Sequence, residues 1–167
     1  GARLVVSGCF DTAGNLPSAD IAAWDGAQWS ALGVGINNGY CGVANSVRHG
    51  GLLYATGEFL SAGNLPAARI AAWNGTAWSA QTSGTTNILE AIVYTGSQFV
   101  CAGYSGTMLT SANATSWTAR TSGTANDLYA LSRTGSQLLA AGNNGTILTS
   151  GDGITWTTRT SGSSSLL

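Results

Sequence analysis

The carboxylates and imidazole that this 167-residue chain offers for acid–base chemistry are seven acidic side chains and a single histidine: Asp11, Asp20, Asp25, Glu58, Glu90, Asp127, Asp152 and His49. Glycoside hydrolysis needs two carboxylates flanking the scissile bond, one donating a proton and the other acting as base or nucleophile. Glu90 with Asp127 comes nearest to such a pair. Both lie at the start of β-prone segments, yet they do not occupy equivalent positions in the repeats described below. His49 is followed by two glycines in the turn 49–51 and has no Ser or Cys partner indicated by spacing, so it reads as a surface histidine rather than a general base. Cys9, Cys41 and Cys101 are widely separated and include no Cys-x-x-Cys pair, which argues against zinc. One disulfide, Cys9 with Cys41, is the expected pairing, set against three small buried thiols. No glycine-rich segment has the strand-turn-helix context that cradles phosphate. The expectation is a chain without catalytic residues, metal or cofactor.

Recognition chemistry is better supplied. Trp24 and Trp73 stand immediately before Asp25-Gly26 and Asn74-Gly75, and Asn15 and Asn64 lie in matching loops upstream. An indole platform flanked by Asn, Asp and backbone groups suits a carbohydrate. With Asp20 and Arg69, which are aligned but chemically different, these six residues form the candidate ligand-binding set. The competing reading of both tryptophans is packing between neighbouring sheets.

What positions these residues is internal repetition. "AGNLPSADIAAWDGAQWSA" at 13–31 returns as "AGNLPAARIAAWNGTAWSA" at 62–80, an offset of 49 residues. "TGSQFVCAGYSGTMLTSANATSWTARTSGTA" at 95–125 returns as "TGSQLLAAGNNGTILTSGDGITWTTRTSGSS" at 134–164, an offset of 39. Each unit splits into short β-prone runs separated by Gly-rich turns, and the Asp-Gly and Asn-Gly pairs are hairpin signals. Four-stranded meanders repeating at this length are the pattern of a β-propeller. The fold expected is all-β, a single domain of four blades, approximately 1–32, 33–81, 82–120 and 121–159, with 160–167 as a closing segment.

The ends raise a question of closure. Residues 4–8 align with 53–57, the second strand of a blade, so blade one lacks its inner strand. "TSGSSSLL" at 160–167 repeats "TSGTANDL" at 121–128, which leads into an inner strand. The gap is expected to be closed by that tail, by a second copy, or by another fragment, because an open sheet edge invites pairing. The chain starts Gly-Ala-Arg, without an initiator Met or a signal peptide, as a processed or excised piece would.

The turn "SGDGITW" at 150–156 resembles a shortened Asp-box, the turn of sialidases and many unrelated propellers; Ser111, Asn113 and Trp117 repeat its frame. That likeness implies a fold device in which Asp152 accepts hydrogen bonds across the turn. Residues 82–167 resemble bacterial "GTILTSxDGxxW" propeller repeats, a group including sialidase-like proteins and photosystem II assembly and stability factors. Residues 4–81 resemble the "IAxWDGxxWSxLG" repeats of large secreted or cell-surface propellers. These resemblances imply a propeller and carry no single activity. A sialidase-like site implies an arginine cluster, a Tyr-Glu pair and an Asp acid/base near the axis, and no such set emerges.

Composition limits the partners. Six Arg, no Lys and seven acidic residues give a net charge of −1 with no basic cluster, so nucleic acid is not expected. No apolar run is long enough for a spanning helix, and membrane insertion is not expected. The Gly/Ser/Thr/Asn-rich surface suits an extracellular or cell-surface adhesin or structural protein. Asn74, Asn113 and Asn144 begin N-glycosylation triplets. The function expected is a non-catalytic binding or structural module recognising a glycan or surface polymer; the alternatives are an assembly subunit of a particle, filament or virion, and a sialidase-like hydrolase.

Overall fold

The computed structural model describes residues 3–36 and 41–166. Its regular elements are β-strands and two 3-10 turns. The chain divides into two compact units, Gly1–Thr82 and Ser83–Leu167.

The first unit holds two sheets of the blade type. Blade one runs β1 (Leu4–Ser7), a small hairpin of β2 (Thr12–Ala13) and β3 (Leu16–Pro17), then β4 (Ile21–Trp24) and β5 (Trp29–Ala31). Its sheet has three strands in the order β1-β4-β5. Blade two runs β6 (Val43–His49), β7 (Leu52–Gly57), the hairpin β8 (Ser61–Ala62) and β9 (Leu65–Pro66), then β10 (Ile70–Trp73) and β11 (Trp78–Ala80). Its order is β11-β10-β7-β6. The "IAA" of β4 and β10 is buried at all three positions in each copy. Such a run without alternation marks strands covered on both faces, and alanine lets the covering layers approach closely.

The second unit holds two four-stranded sheets. One is β12 (Leu89–Tyr94), β13 (Phe99–Gly103), β14 (Met108–Ser111) and β15 (Thr118–Ala119); the other is β16 (Leu128–Thr134), β17 (Gln137–Gly142), β18 (Ile147–Ser150) and β19 (Thr157–Arg159). Both are antiparallel meanders in chain order. The tight turns at 104–106 and 143–145 are 3-10 turns in which Ser105 (φ 55°) and Asn144 (φ 53°) adopt the left-handed conformation. All five residues of β13 are buried.

The three inner strands share an irregularity. Their registers slip between Val43 and Asn45, Leu89 and Ala91, and Leu128 and Ala130. Ala44, Glu90 and Tyr129 therefore sit at equivalent bulge positions, where a strand bends and an extra side chain is re-aimed.

The "LSAGNLPAA" segment, read from sequence as a loop, folds as the β8–β9 hairpin. Gly63 (φ 60°) and Asn64 (φ 66°) are both left-handed, the requirement of a two-residue type I′ turn. A Cβ on Gly14 or Gly63 would approach the side chains of Trp29 and Trp78 at 3.1 and 3.0 Å. Glycine is what allows each small hairpin to lie on its indole.

Cys9 and Cys41 are joined in a disulfide, and Cys101 is a buried free thiol. The pairing expected from sequence is present. Strand β1 pairs with β4 (Leu4↔Trp24 to Ser7↔Ile21), and among the described residues no strand pairs with its other edge. Residues 160–166 add no strand to any sheet. Within the second unit the Gly145 amide donates to the Ser165 carbonyl at 2.6 Å. Leu167, the last residue of the expected closing segment, lies outside the described residues.

Candidate functional site

The six candidate binding residues fall at two places in the first unit. Trp24 and Trp73 end β4 and β10, half-buried, each tilted against the next tryptophan of its own hairpin: Trp24 lies 5.2 Å from Trp29 and Trp73 lies 5.5 Å from Trp78. Trp73 also packs on the core formed by Ile21, Leu32, Leu53, Phe59 and Trp78. Trp78 is buried and donates its Nε1–H to the Leu32 carbonyl at 2.8 Å, tying blade two to blade one. Asn15 and Asn64 are exposed at the tips of the small hairpins.

Asp20 and Arg69 are equivalent in backbone and divergent in side chain. Both precede a third strand with left-handed φ, 59° and 69°. The amide of each donates to a carbonyl, Phe10 or Phe59, and its own carbonyl accepts from Gly8 or Gly57. The Asp20 carboxylate is buried and Oδ2 accepts from the Gly42 amide at 2.8 Å. Burial raises its pKa from the usual carboxylate value, with the hydrogen bonds from Gly42 and Phe10 opposing. Arg69 Nη1 donates to the Glu58 carbonyl.

The two carboxylates weighed for catalysis are structural in their surroundings. Asp127 accepts from the Ser105 amide at 2.8 Å, from Asn143 Nδ2 at 3.1 Å and from Tyr129 OH at 3.4 Å. Glu90 occupies a bulge, half-buried. Among the described residues no three His, Cys, Asp or Glu side chains group to hold a metal, and no acid/base constellation is assembled.

The Asp-box-like turns close on themselves. Asp152 Oδ1 accepts from the Ile154 and Thr155 amides, both at 2.8 Å, and from Ser150 Oγ at 3.0 Å. These bonds lower its pKa to about 2. The indole of Trp156 donates to the Gly153 carbonyl at 3.2 Å.

A recess that the sequence reading did not single out opens between blades one and two. It encloses about 130 Å³ and is lined by Arg3, Ala23, Ala31, Leu32, Arg48, Gly51, Trp73 and Gly75. In the second unit a comparable recess of about 170 Å³ is lined by Thr95, Ser97, Arg133, Ser136, Leu138, Gly151 and Asp152. Register makes these related: Arg48 pairs with Leu53 on β7 and Arg133 with Leu138 on β17, each five residues into its inner strand. The repeats recognised in sequence include neither Arg48 nor Arg133; strand register alone makes them equivalent.

Compared with protein-family models and with curated proteins, the chain matches none. Solved structures do share its fold. A structure of YCF48 bound to D1 peptide aligns with a TM-score of 0.57 and 22% identity, over 86% of this chain and 47% of that one. YCF48 from Cyanidioschyzon merolae aligns with a TM-score of 0.60 and 16% identity, over 89% and 52%. The chain thus spans about half the length of each. At such identities the likeness speaks for fold, an all-β architecture of propeller-type blades.

Proposed function

We propose that this chain is a non-catalytic, propeller-type module that binds a protein partner by accepting an extended segment along the open edge of β1. The observation that carries this reading is the three-stranded blade. β7, β13 and β17 are each flanked by an inner strand, whereas β1, their counterpart, pairs on one side among the described residues. The Gly8 amide bonds inward to Asp20, so by alternation the Val5 and Ser7 amides point to the open side. Unpaired edge groups are a template for strand addition, the main-chain mode of peptide recognition. A bound peptide in one structure of this fold supports a protein ligand ahead of a glycan. Such binding suits the assembly-subunit reading. The Cys9–Cys41 disulfide favours an oxidising, extracellular-type compartment.

A labelled peptide with the sequence of β6, residues 43–49, is the probe, since that strand fills the corresponding place in blade two. It should bind the wild type, and Ser7→Pro should weaken it at least tenfold with the fold intact by circular dichroism, because proline removes an outward amide at a tolerated edge position. No binding, or binding indifferent to Ser7→Pro, would overturn the reading.

A second reading, glycan recognition, rests on the half-buried Trp24, Trp29 and Trp73 with Asn15, Asn64, Asp20 and Arg69 nearby in sequence. Glycan-array binding lost in Trp24→Ala or Trp73→Ala would favour it.

A further inference from the structure

We infer that the recess between blades one and two is a seat for a carboxylate carried by an acidic peptide, held by Arg3 and Arg48 against the indole of Trp73. This rests on the strand-accepting reading of β1 and names the chemistry of its partner.

Charge is the first argument. Two guanidinium-bearing residues line the recess and no acidic residue does. Among the described residues Arg48 has no ion-pair or hydrogen-bond partner. Arg3 is near enough to Asp25 to lower that carboxylate, but less than the Gln28 and Ala27 amides do, which both donate to Asp25 Oδ1. The second unit makes the contrast: its recess has the equivalent Arg133, yet Asp152 lines the same space. The first recess holds a second cation, Arg3, from the neighbouring blade and no carboxylate, leaving a site for an anion from outside.

The walls are the second argument. Ala23, Leu32 and Trp73 are apolar, and a guanidinium beside such surfaces binds carboxylate more strongly than one standing in open water. Gly51 and Gly75 stand at hairpin tips where an added Cβ would meet nothing within 4 Å, so the mouth is unobstructed.

Register is the third. In blade two, β6 lies on β7 with Val43 opposite Gly57 and His49 opposite Leu52. The 49-residue offset carries Gly57 to Gly8 and Leu52 to Arg3. A strand added to β1 in the same register therefore places its last residue opposite Arg3, and directly opposed residues share a face. An acidic side chain there would reach the recess.

Two labelled, C-terminally amidated peptides test this: the 43–49 sequence with Glu, and with Gln, in place of its final His. The Glu peptide should bind the wild type about three- to fivefold more tightly at low salt, as for a partly exposed ion pair, and the preference should vanish at high salt. Arg48→Gln should erase the preference while leaving the Gln peptide's affinity unchanged. Equal affinity of both peptides for the wild type would overturn the inference. Titration with N-acetylglutamate α-amide, followed by NMR at the Trp73 indole and the Arg3 and Arg48 side chains, separates this from strand addition. Saturating shifts there, with neither peptide bound, would reject strand addition and keep the carboxylate seat; no shifts would overturn the seat. An equal response to inorganic phosphate would make it a general anion site and overturn the acidic-peptide assignment.

Discussion

Asn113 and Asp152, at equivalent positions of successive repeats, accept the same pair of backbone hydrogen bonds. Asn113 Oδ1 takes the Thr115 and Ser116 amides, both at 3.0 Å, where Asp152 Oδ1 takes those of Ile154 and Thr155. Ser111 and Ser150 complete the two turns alike, each hydroxyl accepting the amide three residues on at 2.8 Å. An oxygen acceptor is therefore what the turn needs, and charge is optional. The difference shows in pH. Asp152 is lowered to about 2 by these bonds, so its contribution is present above the ordinary carboxylate range and is lost as pH falls through about 2. Thermal melts between pH 4 and pH 2 should show a fall in Tm for the wild type that is shallower in Asp152→Asn, with the two proteins alike at pH 7.

Asp20 has the opposite sign. Its pKa is raised by burial, so the protonated form favours the folded state; the stability it brings is present at low pH and is lost as pH rises through the folded-state pKa. Asp20→Asn keeps an oxygen acceptor for the Gly42 amide, and asparagine tolerates the left-handed backbone found there. That variant should melt higher than the wild type at pH 7, and the gap should close on acidification. An unchanged gap between pH 7 and pH 3 would show that desolvation of Asp20 does not matter.

The disulfide spans 32 residues and clips the segment after β1 to the entry of β6. Loop-closure entropy puts its contribution at about 3–4 kcal/mol. Cys9→Ala with Cys41→Ala should lower denaturant stability by that order, and reduction of the wild type should reproduce the loss. Cys101 is buried and its pKa is raised well above the ordinary thiol value by desolvation, so it should stay unreactive to thiol reagents until the protein unfolds.

Gly106 and Gly84 separate steric clash from backbone strain. Both have left-handed φ, 66° and 77°. A Cβ on Gly106 would lie 1.9 Å from the Thr124 carbonyl oxygen, whereas one on Gly84 meets nothing within 4 Å. Gly84→Ala should cost about 1 kcal/mol from conformation alone, and Gly106→Ala should cost clearly more, or fail to fold, in parallel urea titrations. Gly145→Ala should behave like Gly106→Ala, because its Cβ would strike the Ser163 carbonyl at 1.8 Å and displace the 160–166 tail.

The strand plan was legible because it is written in local, repeating terms. Offsets of 49 and 39 residues, with Asp-Gly, Asn-Gly and Gly-rich turns at fixed places, located strands beginning at Leu4, Val43, Leu89 and Leu128. That β1 corresponds to the second strand of a blade was legible for the same reason, since residues 4–8 align with 53–57. Other features follow from chain geometry that no local pattern encodes. The small β2–β3 and β8–β9 hairpins depend on two glycines lying against Trp29 and Trp78, contacts made by residues 15 positions apart across a folded blade. Trp24 and Trp73 looked alike in sequence, but only the fold packs Trp73 onto the core of the first unit. Asp20 and Arg69 are aligned but chemically different in sequence, and the structure adds that they share one backbone role. The Arg3–Arg48 recess was invisible for a related reason. Those residues are 45 positions apart and become neighbours through the packing of two sheets. Periodicity determines which residues become strands, because hydrogen-bonding and side-chain alternation act over a few residues. Which side chains face each other between sheets is decided by register and packing, which act across the whole unit.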